Sequence, residues 1–373
     1  MEQKYDVVVA GGGIAGSVAA RFLADYGFKT LILERFKTPR SKSCSGVQWR
    51  YLERLIGTKI PRDKVCRNEI NKVELVTPKG KTLKGNVRLL NFWRDRFDSW
   101  LNEVAVSSGA DFHDQTTLLD FHENSDGVLL HLSFEGFERD VSAQYLIAAD
   151  GLSSTIRQKM RPDDFRKRSS GATLNYYFVG EAELNSNTLY MFYKREFSPL
   201  MFSWVYNKDG QWVIGTGADK NIFSYANRFF EFIREKYGLD GKIMRKEGFS
   251  STFYGPPYLG NGRILMAGDA AGLVDFYRGM GMDNAALSGR LAAKAISQSK
   301  GNSLTAIAIY RRLMKRIIST LEKNSGKQAA RYVSDEKIEE SLSTMRLFNL
   351  SVRVYTGNLI NMILPVENIV LLP

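Results

Sequence analysis

Cysteine is almost missing from this chain of 373 residues. Cys44 and Cys66 are the whole complement, too few for a disulfide framework, and they suit a reducing compartment; Cys66, without a partner or motif, reads as structural. Histidine is nearly as scarce. His113, His122 and His131 recur at nine-residue intervals in a strand-rich stretch, which reads as polar positions on hairpins, and nothing has zinc-site spacing, so no metal centre is expected. No unbroken apolar run reaches the roughly 18 residues that a membrane-spanning helix needs. The first apolar strand is entered by Tyr5, leaving no room for a signal or transit peptide, so a cytoplasmic protein is expected. Acidic residues are the minority, 40 against 52 Lys and Arg, for a net charge of +12. That excess comes without a helix-turn-helix, zinc-finger or RNA-recognition signature, so no nucleic acid is expected as a partner.

What is present is ordinary for a soluble globular protein: 44% apolar and 25% charged residues. The length exceeds a single domain of roughly 100 to 200 residues, so two closely joined domains are expected. The positive charge is partly local, with eight basic residues and one acidic, Glu322, in residues 300–331. A solvated helix face is the plain reading; anionic lipid headgroups or an acidic partner protein are the functional ones. Leu359, Ile360, Met362, Ile363, Leu364, Ile369, Val370, Leu371 and Leu372 then form an apolar tail. Such a tail either docks on a lipid surface or folds back as a cap or dimer contact.

Residues 5–10 (YDVVVA) run into GGGIAG, residues 14–26 have an alanine-rich helical pattern, and residues 29–34 (KTLILE) make a second strand. Phe97, Trp100, Leu101, Val104 and Ala105 share one face of a helix expected over 95–110. From about 170 to 220 the pattern changes to aromatic-rich alternation, the mark of an antiparallel sheet. A parallel-type strand at 262–267 and a helix at 282–298 return to the first domain. The expected division is 1–70, 92–156 and 255–300 for a doubly wound α/β nucleotide-binding domain, 71–91 and 157–254 for an antiparallel substrate domain, and 301–373 for a helical C-terminal segment.

Three separated stretches carry the chemistry. Gly11, Gly13 and Gly16 make a GxGxxG turn, with Ala15 inside it, between a strand and a helix; missing side chains permit a tight turn and close approach to a pyrophosphate. Glu34, eighteen residues beyond Gly16, ends the next strand beside Arg35 and can accept hydrogen bonds from ribose hydroxyls. The second stretch, IAADGLSSTIR at 147–157, ends a strand in Asp150-Gly151. The third, RILMAGDAAGLVDFYRGMGMDNAALSGRLAAKAI at 263–296, places Asp269 after a strand, suited to a ribityl chain. Gly279, Gly281 and Met282 then open a helix whose N–H groups can face an isoalloxazine.

Together these stretches resemble the flavoprotein monooxygenase and geranylgeranyl reductase superfamily, over roughly residues 1–300. The resemblance implies a glutathione-reductase-like fold and FAD as cofactor. Two features are similar to the geranylgeranyl reductase branch: Cys44 in SKSCSGV, and FSWVYNKDGQWVIGTG at 202–217. They imply Cys44, Ser45 and Val47 beside the flavin, with Cys44 also a candidate catalytic residue, and Phe202, Trp204, Tyr206 and Gly215 lining the substrate cavity. Arg94 and Thr117 are likewise implied as cofactor contacts. The sequence departs from the branch where Ser45 and Val47 replace glycines, Asn207 replaces a proline before Lys208, and Phe276 and Arg278 replace Pro and Thr or Ser. The implied reaction is hydride transfer from reduced flavin to an alkene of a large hydrophobic isoprenoid or lipid substrate. A flavin monooxygenase acting on an apolar or aromatic substrate, and a non-catalytic flavin carrier or sensor, are the alternatives; a flavin halogenase is disfavoured because only Trp204 stands where that group has two tryptophans. With one dinucleotide fingerprint present, electrons are expected from transient NAD(P)H or a small acidic redox protein. A substrate of that kind would bring the protein to the periphery of a membrane.

Overall fold

The computed structural model describes residues 3–65, 68–166, 169–253, 255–343, 347–369 and 371–372; Cys66 and Val370 lie outside them. Five strands form a parallel sheet in the spatial order Ile264–Met266, Phe137–Ala148, Gln3–Ala10, Thr30–Leu33, Asp111–His113. Runs such as Val7-Val8-Val9 and Leu31-Ile32-Leu33 are apolar throughout and buried, as strands covered on both faces must be. The hairpin Thr116–Glu123 with Val128–Phe134 extends this sheet antiparallel to Phe137–Ala148, and Gly260–Asn261 turns back on Ile264–Met266. Helices Ile14–Asp25 and Met282–Gln298 pack against each other. The chain therefore leaves this α/β unit and re-enters it.

The second sheet has eight strands, in the order Asp240–Phe253, Ser169–Glu181, Gln211–Ala218, Ser203–Lys208, Thr188–Phe192, Asn68–Val76, Thr82–Asn91, Val47–Trp49. All neighbours are antiparallel except Thr188–Phe192 on Asn68–Val76. The sheet recruits Val47–Trp49 and the whole of Asn68–Val76, so it begins earlier in the chain than residue 71. The aromatic alternation splits cleanly across its two faces. Tyr176, Phe178, Val205, Trp212 and Ile214 meet helix Ile222–Lys236 through Phe229, Phe230 and Ile233, while Tyr177, Trp204, Tyr206 and Val213 join the core shared with the first domain.

The C-terminal segment does not stand apart. Helix Ser303–Arg331 is capped by Asn302, whose side chain accepts from Thr305 N. On helix Asp335–Ser343, Ile338 and Leu342 pack on Leu75 and Leu83 of the second sheet. After helix Leu347–Ile363 the tail folds back: Ile369 and Leu372 are 1% and 2% exposed. Leu359, Ile360, Met362 and Ile363 face outward, Met362 72% and Ile363 84% exposed.

A buried charge network pins these parts together. Arg278 donates to Asp275 Oδ2 at 2.7 Å, to Asp283 Oδ2 at 2.8 Å and to the Leu372 carbonyl at 2.8 Å. Tyr51 OH donates to Asp283 at 2.6 Å, and Asn324 to Asp275 at 2.7 Å. Burial pushes the Asp283 carboxyl up, but the Arg278 guanidinium and its hydrogen bonds more than reverse this, leaving it below its ordinary value. A depressed carboxyl contributes stability above its unfolded value, and that contribution is lost as pH falls through the folded one. Arg278→Ala leaves two buried carboxylates unpaired and is expected to cost about 3–5 kcal/mol at neutral pH. Urea unfolding should also find the deficit narrowing in acid, where the unpaired carboxylates take up protons.

Candidate functional site

The C-terminal ends of the parallel strands, where doubly wound folds bind ligands, open into a cavity of about 600 Å³. Its floor is the turn after Gln3–Ala10. Gly11 has φ +112°, and a Cβ there would stand 2.3 Å from the Ala149 carbonyl oxygen, so the turn is closed to any other residue. Two helix N-termini meet at this floor, at Gly13 and at Gly281, and neither N-cap residue makes a side-chain capping bond. With glycine at each N-cap, backbone N–H groups there make two anion-receptive ends.

Side chains complete the walls. Glu34 accepts from Gly12 N (3.2 Å), Phe36 N (3.0 Å) and Arg40 Nε (2.8 Å), which fixes its carboxylate at the cavity edge. Arg40 also reaches Asp98 at 3.3 Å, and Asp98 takes a two-pronged bond from Arg94 at 2.7 and 2.7 Å. Lys42 pairs with Asp269 at 3.2 Å. Asp150 accepts from Thr155 N at 3.0 Å through Oδ2, whereas its buried Oδ1 has no hydrogen-bond partner among the described residues. Burial raises the Asp150 carboxyl from its ordinary value against the hydrogen bonds it accepts. Among the described residues no group of three or more His, Cys, Asp or Glu is arranged to hold a metal ion.

The structure brings Gly11, Gly13, Ala15, Glu34, Arg35, Cys44, Arg94, Thr117, Asp150, Asp269, Gly281 and Met282 to this one cavity, from three separated stretches and the segments between them. Cys44 Sγ lies 3.9 Å from Met282 Sδ. Other anticipated residues stand behind the walls. Gly16 is pressed against Gly11 O, Val47 is an edge strand of the second sheet, and Ser45 Oγ accepts from Val47 N at 3.2 Å. A Cβ on Gly279 would stand 2.8 Å from the Phe202 ring, Trp204 Nε1 donates to Asn175 Oδ1 at 2.8 Å, Tyr206 OH donates to the Ser45 carbonyl at 3.2 Å, and Gly215 is packed under Trp204 and Asn175. The sequence reading missed Arg40, Lys42 and Glu247, all of which line the cavity. The basic run RFKTPRSKSC held a signal for the first two; Glu247 sits on a remote strand with none.

These residues fit FAD. Arg40, Lys42 and the two uncapped helix ends supply positive charge for a diphosphate, Glu34 offers acceptor lone pairs to a ribose, Asp269 to a ribityl chain, and the orphaned Asp150 Oδ1 calls for a donor. Glu34→Ala and Asp269→Ala are each expected to weaken FAD by about 1.5–3 kcal/mol, the worth of a hydrogen bond to a charged acceptor. Fluorescence titration of the apoprotein reads this directly, and unchanged affinity in both variants would contradict the assignment.

The chain is 29% identical over 329 residues to geranylgeranyl diphosphate reductase of Arabidopsis thaliana, covering 80% of this chain and 67% of that protein. To digeranylgeranylglycerophospholipid reductase 3 of Methanosphaera stadtmanae it is 24% identical over 398 aligned positions, with 98% and 96% covered. Among solved structures, a geranylgeranyl bacteriochlorophyll reductase-like protein from Thermoplasma acidophilum superposes with a TM-score of 0.82 at 23% identity, covering 95% of this chain and 92% of that one; at that identity the likeness is one of fold. Residues 4–299 match the model of the FAD binding domain family, and with a match of that span on a cavity so arranged, the chain belongs to the FAD binding domain family.

Proposed function

We propose that this FAD-dependent oxidoreductase is a reductase of the geranylgeranyl reductase type, saturating an alkene in a large isoprenoid or lipid substrate. The observation that carries the reading is the placement of Cys44 on the cavity wall against Met282, at the start of a helix whose N-cap is a glycine without a capping side chain. The reductase names of the plant and archaeal relatives support it. When bound, FAD supplies the hydride. Around it the uncapped N–H groups at Gly281 and Met282 offset negative charge, and Phe249, Phe276 and Met280 keep part of the wall apolar. Electrons would come from NAD(P)H or a small acidic redox protein, since the single dinucleotide fingerprint is taken by FAD.

The test is anaerobic reduction of the holoprotein followed by mixing with polyprenyl lipids. Reoxidation of the flavin by the lipid in the absence of oxygen, with a saturated product by mass spectrometry, is the expected result. Reoxidation only on admitting oxygen, with an oxygenated product, would replace the reductase with a monooxygenase.

A substrate held in lipid requires the enzyme to reach it. Among the described residues no helix is long and apolar enough to cross a membrane. Helix Leu347–Ile363 contains no acidic residue, and it exposes Tyr355, Leu359, Ile360, Met362 and Ile363. The strand it packs on, Thr82–Asn91, carries exposed Lys84 and Arg88. Basic residues near an anionic surface contribute about 1 kcal/mol each, and the apolar face adds burial, enough for reversible peripheral docking. Flotation with vesicles containing anionic lipid should recover the protein at low salt and less at high salt. Met362→Glu with Ile363→Glu should abolish it without unfolding the chain, because both side chains already face water. No flotation at any salt would remove the docking surface.

A further inference from the structure

Lys208 ends the strand Ser203–Lys208 with its side chain 1% exposed. Among the described residues no carboxylate forms an ion pair with it. Its ammonium donates instead to the backbone carbonyls of Ser45 and Phe92, and it lies 4.7 Å from the centre of the Trp93 ring and 5.6 Å from that of Tyr206. The two carbonyls belong to segments pressed together at a single point. Gly46 has φ +66°, and a Cβ on it would stand 1.8 Å from the Phe92 carbonyl oxygen and 3.1 Å from Lys208 Nζ. Phe92 N donates back to Gly46 O at 3.0 Å. Cys44, two residues earlier, is the last residue of this segment to line the cavity, after Arg40, Ser41, Lys42 and Ser43.

We propose that Lys208 is the positioning residue of the Cys44 segment: its ammonium bridges the Ser45 and Phe92 carbonyls and so holds Cys44 at the cavity wall against Met282. The effect on turnover rests on the flavin reading of that cavity; the bridge itself does not.

The ammonium is held there at a cost. Burial lowers Lys208 to about 8, while Cys44, Glu247 and Asp209 act to raise it and Arg245 to lower it. The groups that act on it are Cys44 on the cavity segment, Glu247 and Arg245 on Asp240–Phe253 and Asp209 in the turn, with the Tyr206 ring of its own strand beside it; Cys44 in turn neighbours Arg94, and Tyr206 neighbours Tyr177. A lysine whose folded value lies below its unfolded one destabilises the fold while it is charged, and that cost is relieved as pH rises through the folded value. Packing alone gives no reason for a charge here, because a methionine would fill similar space without the desolvation. The bridge to two carbonyls does give one.

The proposal is tested by amide hydrogen exchange at residues 44–47, corrected for intrinsic pH dependence, from neutral to alkaline pH. The parent, Lys208→Met and Lys208→Arg are compared with and without FAD, alongside melting temperature and iodoacetamide alkylation of Cys44 at neutral pH, read by peptide mass spectrometry. In the parent at neutral pH, residues 44–47 are expected to be protected about tenfold more than in Lys208→Met. Lys208→Met should lack that protection at every pH and alkylate Cys44 at a changed rate, with a melting temperature no lower than the parent's; Lys208→Arg should stay protected throughout. A methionine variant with parental exchange and alkylation overturns the proposal. If the methionine variant does not fold, Lys208→Leu is read in its place. Exchange is read without FAD as well, so failure to bind FAD would count against the flavin reading and leave the bridge standing.

Discussion

Backbone must approach backbone at the ends of the central strands, and every other feature of the site follows from that constraint. A Cβ on Gly16 would stand 1.9 Å from Gly11 O, and one on Gly289 2.1 Å from Ala15 O. Those two absences let helix Ile14–Asp25 seat against the first strand and helix Met282–Gln298 seat against the first helix. The two N-termini therefore converge on one floor, and their uncapped N–H groups add where separately they would be weak. Side chains at either glycine would push the helices apart and disperse that charge.

The charges around the floor are balanced locally. Glu34 and Asp98 share Arg40, Asp98 also holds Arg94, and Lys42 holds Asp269. Partly buried pairs of this kind add little net stability, because desolvation offsets their attraction, but they fix where each carboxylate points. The Arg278 network does the same on the far side. By reaching Asp275, Asp283 and the Leu372 carbonyl it joins the loop that holds Asp275, helix Met282–Gln298 and the tail.

Much of this was legible in the sequence because it depends on local rules. Uninterrupted apolar runs such as Val7-Val8-Val9 announce strands buried on both faces, and strict alternation through Tyr176, Tyr177 and Phe178, or Trp204, Val205 and Tyr206, announces a sheet with two apolar faces. Glycine spacing encodes the turn, because only glycine meets its steric demand. The tail was less legible. Its apolar residues divide between a buried strap, Ile369 and Leu372, and an exposed helix face, Met362 and Ile363, and composition is blind to that division.

The sequence by itself determined the α/β frame, the phosphate-type turn with Glu34 and the return of the chain at residue 263, since each follows from side-chain size, periodicity or backbone freedom within a few residues. Only the tertiary structure decided which charges meet. Glu247 enters the cavity from a strand more than two hundred residues beyond Glu34, and Lys208 reaches the Ser45 carbonyl from 163 residues further along the chain. Trp204 and Tyr206, which alternate along one strand, hydrogen-bond to Asn175 and to the Ser45 carbonyl. Pairings of that range depend on how the two sheets and the helices between them assemble, and no short-range pattern in the chain records that geometry.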